Sequence, residues 1–324
     1  MMNPELVESI CKATNASSVA QWDSLQTLWS GYGQIYRVML EDANVPSVIV
    51  KHVSPPKKAN QPRGWNTDHS HQRKLHSYEV EACWYQDWSA LVTNCRVAEC
   101  YAVEATDHGI AFILEDLDAS GFSGRWVSPS LPQIELGIRW LANFHVALLG
   151  KVPDGLWATG TYWHLETRPD ELAAMNEADP LRKHASSIDQ KLSQASFATI
   201  VHGDAKIANF CVANDGASVA AVDFQYVGGG CAMKDVVYFL GSCLTDTELE
   251  QYCITLLSSY FQECRFLWRD ERSPDDFEEE CRSLIPYAWA DFQRFLVGWF
   301  PQHAKLTGYS DRMTRKAIAS IEAA

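Results

Sequence analysis

At 324 residues and 47% hydrophobic content, the chain is long enough to bury one large core or two lobes. Its formal net charge of -14 repels phosphate backbones, which argues against nucleic acid as a partner and weakly favours a cationic small molecule. No apolar run approaches the roughly 18 residues of a membrane span, and the opening "MMNPELVESICKATNASS" has no basic region followed by an apolar core. A cytoplasmic protein with no membrane partner is therefore expected. The ten cysteines form no CxxC pair. Several, such as Cys83, Cys211 and Cys253, sit in apolar segments and read as free, buried thiols.

No internal repeat is visible. "SLQTLW", "IYRVML" and "SVIVKHV" within residues 25–53 read as three strands, separated by "SGYGQ" and "EDANVP", because strand-type residues are bounded there by Gly, Asn, Asp and Pro. The polar, basic stretch "SPPKKANQPRGWNTDHSHQRKLHS" reads as a long loop. A helix is expected from Leu75 to about Val92, followed by a strand pair, "CRVAECYAVEA" and "GIAFILEDL", joined through "TDHG". Beyond Leu117 the pattern turns helical. In "SLPQIELGIRWLANFHVALLG", Ser130 and Gln133 have capping-box spacing, Pro132 lies in the first turn, and Gly150 marks the exit. Further helices are predicted over 170–178, 181–195, 232–243, 246–267, 275–298 and 310–322, with Thr245 and Glu248 repeating the capping box. The predicted architecture is α+β and bilobal. Residues 1–116 form a small antiparallel β-sheet lobe with one helix, residues 117–324 a larger, mainly helical lobe, and the hinge lies near Glu115 to Asp118.

One strand-rich island interrupts the helical part: "VHGDAKIANFCVANDGASVAAVDFQ", residues 201–225. It holds H-x-D-x-x-x-x-N, then an apolar strand, then D-F. Phosphoryl transfer to a hydroxyl needs a carboxylate to orient the hydroxyl and take its proton, oxygen ligands for Mg²⁺ and a cationic grip on the phosphates. Asp204, Asn209 and Asp223 occupy the positions that supply the base and the two metal ligands in a kinase arrangement. "FCV" and "VAAV" should pair as a hairpin through "ANDGAS", which would bring Asn209 and Asp223 to one end. Turn chemistry alone explains isolated Asp and Asn residues, but not this order. The first third of the chain supplies the remaining parts in sequence: Gly31 and Gly33 between the first two strands, Lys51 in the third, and Glu79 or Glu81 on the next helix to hold that lysine.

Here the chain resembles the aminoglycoside phosphotransferase and choline kinase superfamily, whose members have the protein-kinase-like fold and phosphorylate small molecules. "VHGDAKIANF" and "VDFQ" carry that likeness. "YEVEACWY", "FILEDL", "LANFHVALL" and "DFQYVGGGCAMKDVVYFL" are most similar to its ecdysteroid-kinase-like branch. The resemblance runs from about residue 25 to 300 and is most specific over 201–240. It implies ATP and Mg²⁺ as cofactors and a small-molecule hydroxyl as acceptor, with steroid-, aminoglycoside-, choline- and sugar-like alcohols all open. It further implies that Lys51 contacts the α- and β-phosphates, that Glu81 holds Lys51 with Glu79 as runner-up, and that the backbone from Glu115 to Leu117 meets the adenine. Asp235 would brace the catalytic loop, His202 would support it, and His145 would be a packed helix residue. Two departures matter. Gly203 stands where protein kinases carry Arg, and "QYVGGGCAMKD" is too short for an activation loop. Regulation by loop phosphorylation and protein substrates are therefore not expected. Lys206, between base and amide, is placed to neutralise γ-phosphate charge; the glycine loop lacks a third Gly.

Rival readings are a metal site on His69, His71 and His76, an aromatic cage including Trp126, Trp157 and Trp163, and an acceptor contact from Asp291, which otherwise reads as a solvated helix residue. Trp140, Trp289 and Trp299 fall at core spacing. A hydrolase built on His202 and Asp204 lacks a second His at ligand spacing. A silent nucleotide-binding pseudokinase is the principal alternative, although Lys51, Asp204, Asn209 and Asp223 are all retained. The acceptor pocket is expected from about 245–324.

Overall fold

The structure, a computed structural model, describes residues 4–55, 68–106 and 109–323. In chain order the elements are α1 (Pro4–Thr14), β1 (Ser18–Thr27), β2 (Gly33–Glu41), β3 (Ser47–Val53), α2 (Asp68–Cys83), β4 (Arg96–Val97), β5 (Cys100–Thr106), β6 (Gly109–Glu115), β7 (Gly124–Arg125) and α3 (Leu131–Ala147). There follow α4 (Pro169–Ala174), α5 (Pro180–Lys183), α6 (Ala185–Ser193), β8 (Thr199–Val201), β9 (Phe210–Val212), β10 (Val219–Ala221), β11 (Gly228–Gly230), α7 (Met233–Cys243), α8 (Asp246–Leu267), α9 (Pro274–Trp299) and α10 (Gly308–Glu322). The class is α+β, as the sequence predicts.

Two compact units are present, and each is discontinuous in sequence. One comprises residues 1–90, 96–125 and 211–222, the other 91–95, 126–210 and 223–324. In the first, an antiparallel sheet runs β1-β2-β3-β6-β5. Strand β3 alternates inward valines, and Val48 and Val50 join Val38, Ala111 and Ile113 in a core capped by Leu6 and Ile10 of α1. Burying those two α1 side chains contributes about 1.5–3 kcal/mol each. Helix α1 is absent from the sequence reading, although Leu6 and Ile10 stand one helical turn apart. β1 also starts earlier than predicted, at Ser18. The expected loop over 54–77 is helical from Asp68 onward; its residues 56–67, and 107–108 of the predicted "TDHG" turn, lie outside the described residues. The helix buries Ser70 and Ser77 in its first turns rather than apolar side chains, so no apolar period announces the early start. It continues into a π-helical turn, Trp84–Trp88, where the sequence predicts unbroken helix.

The predicted hairpin forms. β9 and β10 are neighbours in a second sheet, β4-β10-β9-β7, and Ala213 N donates to Ser218 O at 2.9 Å across the turn. The second unit is mainly helical and its helix starts follow the capping chemistry. Gln133 Oε1 accepts from Ser130 N at 2.9 Å ahead of α3, and Glu248 Oε2 accepts from Thr245 N at 2.8 Å ahead of α8. A short ladder of β8 with β11 adds strand where only a connecting segment is predicted. All ten cysteines are free; Cys211 and Cys253 are buried as expected, whereas Cys83 is only half-buried. Among the described residues, no helix is long and apolar enough to cross a membrane.

Candidate active site

β8 delivers the chain into His202-Gly203-Asp204, and the first turn of α7 holds that segment in place. The buried Asp235 carboxylate accepts from His202 N at 2.5 Å and Gly203 N at 2.9 Å. His145 Nε2 donates to it at 3.2 Å, and His145 Nδ1 meets the Tyr260 hydroxyl at 2.9 Å. Backbone N–H groups thus satisfy a carboxylate that burial would otherwise penalise. His202 is fully buried, and its Nδ1 accepts from Asp204 N at 3.3 Å, so it shapes the loop. Gly203 has φ +81°, and a Cβ there would lie 2.0 Å from Tyr226 O. That close approach, not chance, excludes an Arg at this position.

Asp204 is 6% exposed. Its Oδ2 accepts from Lys206 Nζ at 2.7 Å and Asn209 Nδ2 at 3.1 Å, and its Oδ1 from the Tyr238 hydroxyl at 3.1 Å. Asn209 Nδ2 also donates to Asp204 O at 2.8 Å, which leaves the amide oxygen as its remaining acceptor. Asp223 has φ +70°, a left-handed conformation that Asp tolerates better than most residues. Burial pushes the Asp204 carboxyl up; Lys206 opposes this, and the negative charge of Asp223 reinforces it. Lys206 is pulled down by burial, but the charges of Asp204 and Asp223 outweigh that and hold it raised. Two mutually repelling carboxylates with an amide oxygen are the hard-oxygen donor set that Mg²⁺ takes, and a divalent cation would relieve the repulsion. These residues therefore fit the metal.

Aromatic side chains wall the same aspartate. Tyr162 packs edge-on to Tyr238, with ring centroids 5.7 Å apart, and burial followed by the Asp204 charge pushes both phenols up, so both remain hydrogen-bond donors. Lys305, in the turn between α9 and α10, places its ammonium 4.6 Å from the centre of the Tyr238 ring. The sequence reading missed Tyr162, Tyr238 and Lys305. The capping Thr307 marks the turn, but nothing local points Lys305 toward Asp204.

In the other compact unit Lys51 is buried on β3, and its Nζ donates to both Glu81 oxygens at 2.8 and 2.7 Å. Glu79 instead pairs with His76 at the surface. Removing one member of a buried pair strands the other charge, so Glu81→Ala is expected to cost about 3–5 kcal/mol in denaturant unfolding; a loss under 1 kcal/mol would show the pair to be solvated. Gly33 opens β2 with φ +139°, and a Cβ there would meet His52 O at 2.0 Å; Gly31 ends a short 3₁₀ turn at Trp29–Gly31. Glu115 pairs with Arg96 and accepts from Glu99 N at 3.0 Å. Leu117 is buried, and its carbonyl accepts from Phe122 N at 2.8 Å. Between them, Asp116 was not foreseen. It accepts from Arg37 Nε and Ser47 Oγ, each at 2.7 Å, and clamps the 115–118 segment to β2 and β3.

Other expectations are corrected. His71 hydrogen-bonds the Tyr32 hydroxyl and His76 pairs with Glu79, and among the described residues no group of three or more His, Cys, Asp or Glu side chains is arranged to hold a metal ion. Trp126 and Trp163 are core residues, while Trp157 is half-buried and donates to Gln225 O at 2.8 Å. Asp291 is neither solvated nor an acceptor contact. It is fully buried, accepts from Trp163 Nε1 at 3.0 Å and Arg294 Nη2 at 2.8 Å, and lies 3.2 Å from Lys234. Burial alone would raise it, but Lys234 and Arg294 hold it down to about 2.

Within the second unit stand a loop aspartate whose backbone is braced by the buried Asp235, an amide five residues on and a further aspartate after the hairpin; the first unit holds a buried Lys–Glu pair of its own. Comparison with known proteins agrees at the level of fold. The sequence model of the ecdysteroid kinase-like family matches residues 165–268, the span that holds Asp204, Lys206, Asn209 and Asp223. A microcompartment-associated aminopropanol kinase is 16% identical, with 98% of this chain and 94% of that one aligned at a TM-score of 0.51. The aminoglycoside phosphotransferase APH(3'')-Id from Streptomyces rimosus, solved with ADP and streptomycin, is 12% identical over 88% of this chain and 99% of that one, also at 0.51. An aminoglycoside-3'-phosphotransferase of type VIII is 14% identical over 90% and 100%, at 0.50. No curated protein matches the chain by sequence. The fold is thus shared with these small-molecule kinases, and the family match over 165–268 is ecdysteroid kinase-like.

Proposed function

We propose that the protein is an ATP- and Mg²⁺-dependent phosphotransferase that phosphorylates a hydroxyl of a small molecule. The observation that carries this reading is the Asp204 carboxylate, buried and oriented by three donors from Lys206, Asn209 and Tyr238. Bound Mg·ATP supplies the transferable γ-phosphoryl group and neutralises its charge. Asp204 aims the acceptor hydroxyl and takes its proton; the raised carboxyl makes it a better base than a solvated aspartate. Lys206, held against Asp204, offsets negative charge beside the reacting oxygen. Asn209 and Asp223 would hold the metal, and Lys51, fixed by Glu81, would hold the α- and β-phosphates. The Gly31–Gly33 turn and the Glu115–Leu117 backbone are assigned to the nucleotide, and residues 245–324 to the acceptor. The similar structures include kinases of aminopropanol and of aminoglycosides, one of them holding ADP, which supports a nucleotide donor and a small alcohol acceptor. A cytoplasmic setting accords with this chemistry.

The test is ADP release from Mg·ATP across a panel of steroid, aminoglycoside, amino-alcohol and sugar acceptors. At least one should be phosphorylated, and chelation of the metal should abolish the reaction. Tight Mg·ATP binding with no transfer to any alcohol would instead identify a pseudokinase.

A further inference from the structure

The acidic chain has a locally cationic acceptor side. One ammonium group touches Asp204, and a second faces the tyrosine that hydrogen-bonds it. Lys206 is ion-paired with the aspartate at 2.7 Å. Lys305 is not: among the described residues, no carboxylate lies within ion-pair distance of its ammonium. Its position is nonetheless built. Lys305 N donates to His303 Nδ1 at 3.1 Å, and Leu306 N to His303 O at 3.0 Å, which pins the turn. The ammonium rests over the rings of Tyr238 at 4.6 Å and Phe292 at 5.8 Å. The same Tyr238 donates its hydroxyl to the Asp204 carboxylate at 3.1 Å, so Lys305 and Asp204 meet one tyrosine. Burial draws the ammonium down to about 8, with Asp204 opposing and Lys206 adding to the fall. A half-buried cation without an anion of its own is costly unless a ligand supplies one.

We propose that Lys305 is a specificity-determining residue that reads an anionic group, a carboxylate, sulfate or phosphate, carried by the acceptor about one ring's length from its reacting hydroxyl. The two lysines disfavour a cationic acceptor, and so reverse the preference that the net charge of -14 suggests. This inference rests on the phosphotransferase reading for the role of Asp204.

Calorimetric titration of the full chain with matched alcohols tests it. The probes are a benzyl alcohol and a hydroxysteroid, each bearing a carboxylate, the corresponding amide or an amine. The carboxylate should bind at least about tenfold more tightly than its amide on one frame or the other, and the amine most weakly. Lys305→Met should erase the difference, Lys305→Arg keep it and Lys305→Glu reverse it. A carboxylate that binds no better than its amide on either frame, or a preference that survives Lys305→Met, overturns the proposal. So does a Lys305→Met variant whose kcat falls by one common factor for every acceptor, since the ammonium then serves the phosphoryl group. Carboxylate selectivity lost in Lys305→Met, in a protein that transfers no phosphate, would sustain this inference while the phosphotransferase reading failed.

Discussion

Asp204→Asn is expected to lower phosphoryl transfer by about 10²–10⁴-fold while leaving nucleotide affinity within a few-fold of the parent. Asn keeps the volume of Asp and can still accept from the Tyr238 hydroxyl, so the loop held by Asp235 should persist. What disappears is the carboxylate proposed to take the acceptor proton, and with it the anion that holds Lys206 in place. The loss should therefore fall on kcat. The groups proposed to bind nucleotide are left in place, and removing one of two repelling carboxylates should leave the melting temperature unchanged or raise it. Single-turnover transfer and equilibrium nucleotide titration, run on the same preparation, separate the two quantities. Transfer at the parental rate would remove Asp204 from the chemistry altogether.

Asp223→Ala should abolish the Mg²⁺-dependent part of nucleotide binding. The expected weakening exceeds the about 10–100-fold that loss of a residue merely supporting a metal ligand costs, and affinity in the presence of a chelator should not move. Position 223 carries a second burden. Its φ of +70° suits Asp or Asn better than Ala, so backbone strain adds to any effect of Ala. Asp223→Asn separates the two causes, because it tolerates the backbone but replaces the charged ligand with a neutral one. If Asp223→Asn binds nucleotide with the parental Mg²⁺ dependence, Asp223 is not a metal ligand.

Much of the site was legible because its spacing is local. Asp204 and Asn209 lie five residues apart on one loop, and their contact at 3.1 Å follows from a short 3₁₀ turn between them. The hairpin was announced by Asn-Asp-Gly between two apolar runs, and the long helices by their caps. Choosing Glu81 over Glu79 from composition was not possible: both lie on α2, and only the packing turns one inward to Lys51 and the other to the surface. Trp163 looked like a substrate contact because its neighbours in sequence are polar, yet Asp291, 128 residues away, hydrogen-bonds its indole N–H inside the core. Asp291 itself looked solvated on an amphipathic helix, because the two cations that allow its burial come from α7 and from one turn further along α9.

The sequence by itself determined the α+β class, most of the helices, the β-hairpin and the order of the residues assigned to base, amide, metal and lysine. Those features depend on the period of side chains along an element and on turn chemistry a few residues long. The tertiary structure alone decided which acidic residues are buried against cations, which tryptophans are core, and that Lys305 and Asp204 meet the same tyrosine, Tyr238. Such placements depend on the electrostatic cost of burial, which is set by partners that folding brings together from different elements, as Lys234 of α7 meets Asp291 of α9 and Lys51 of β3 meets Glu81 of α2, and that no local pattern encodes.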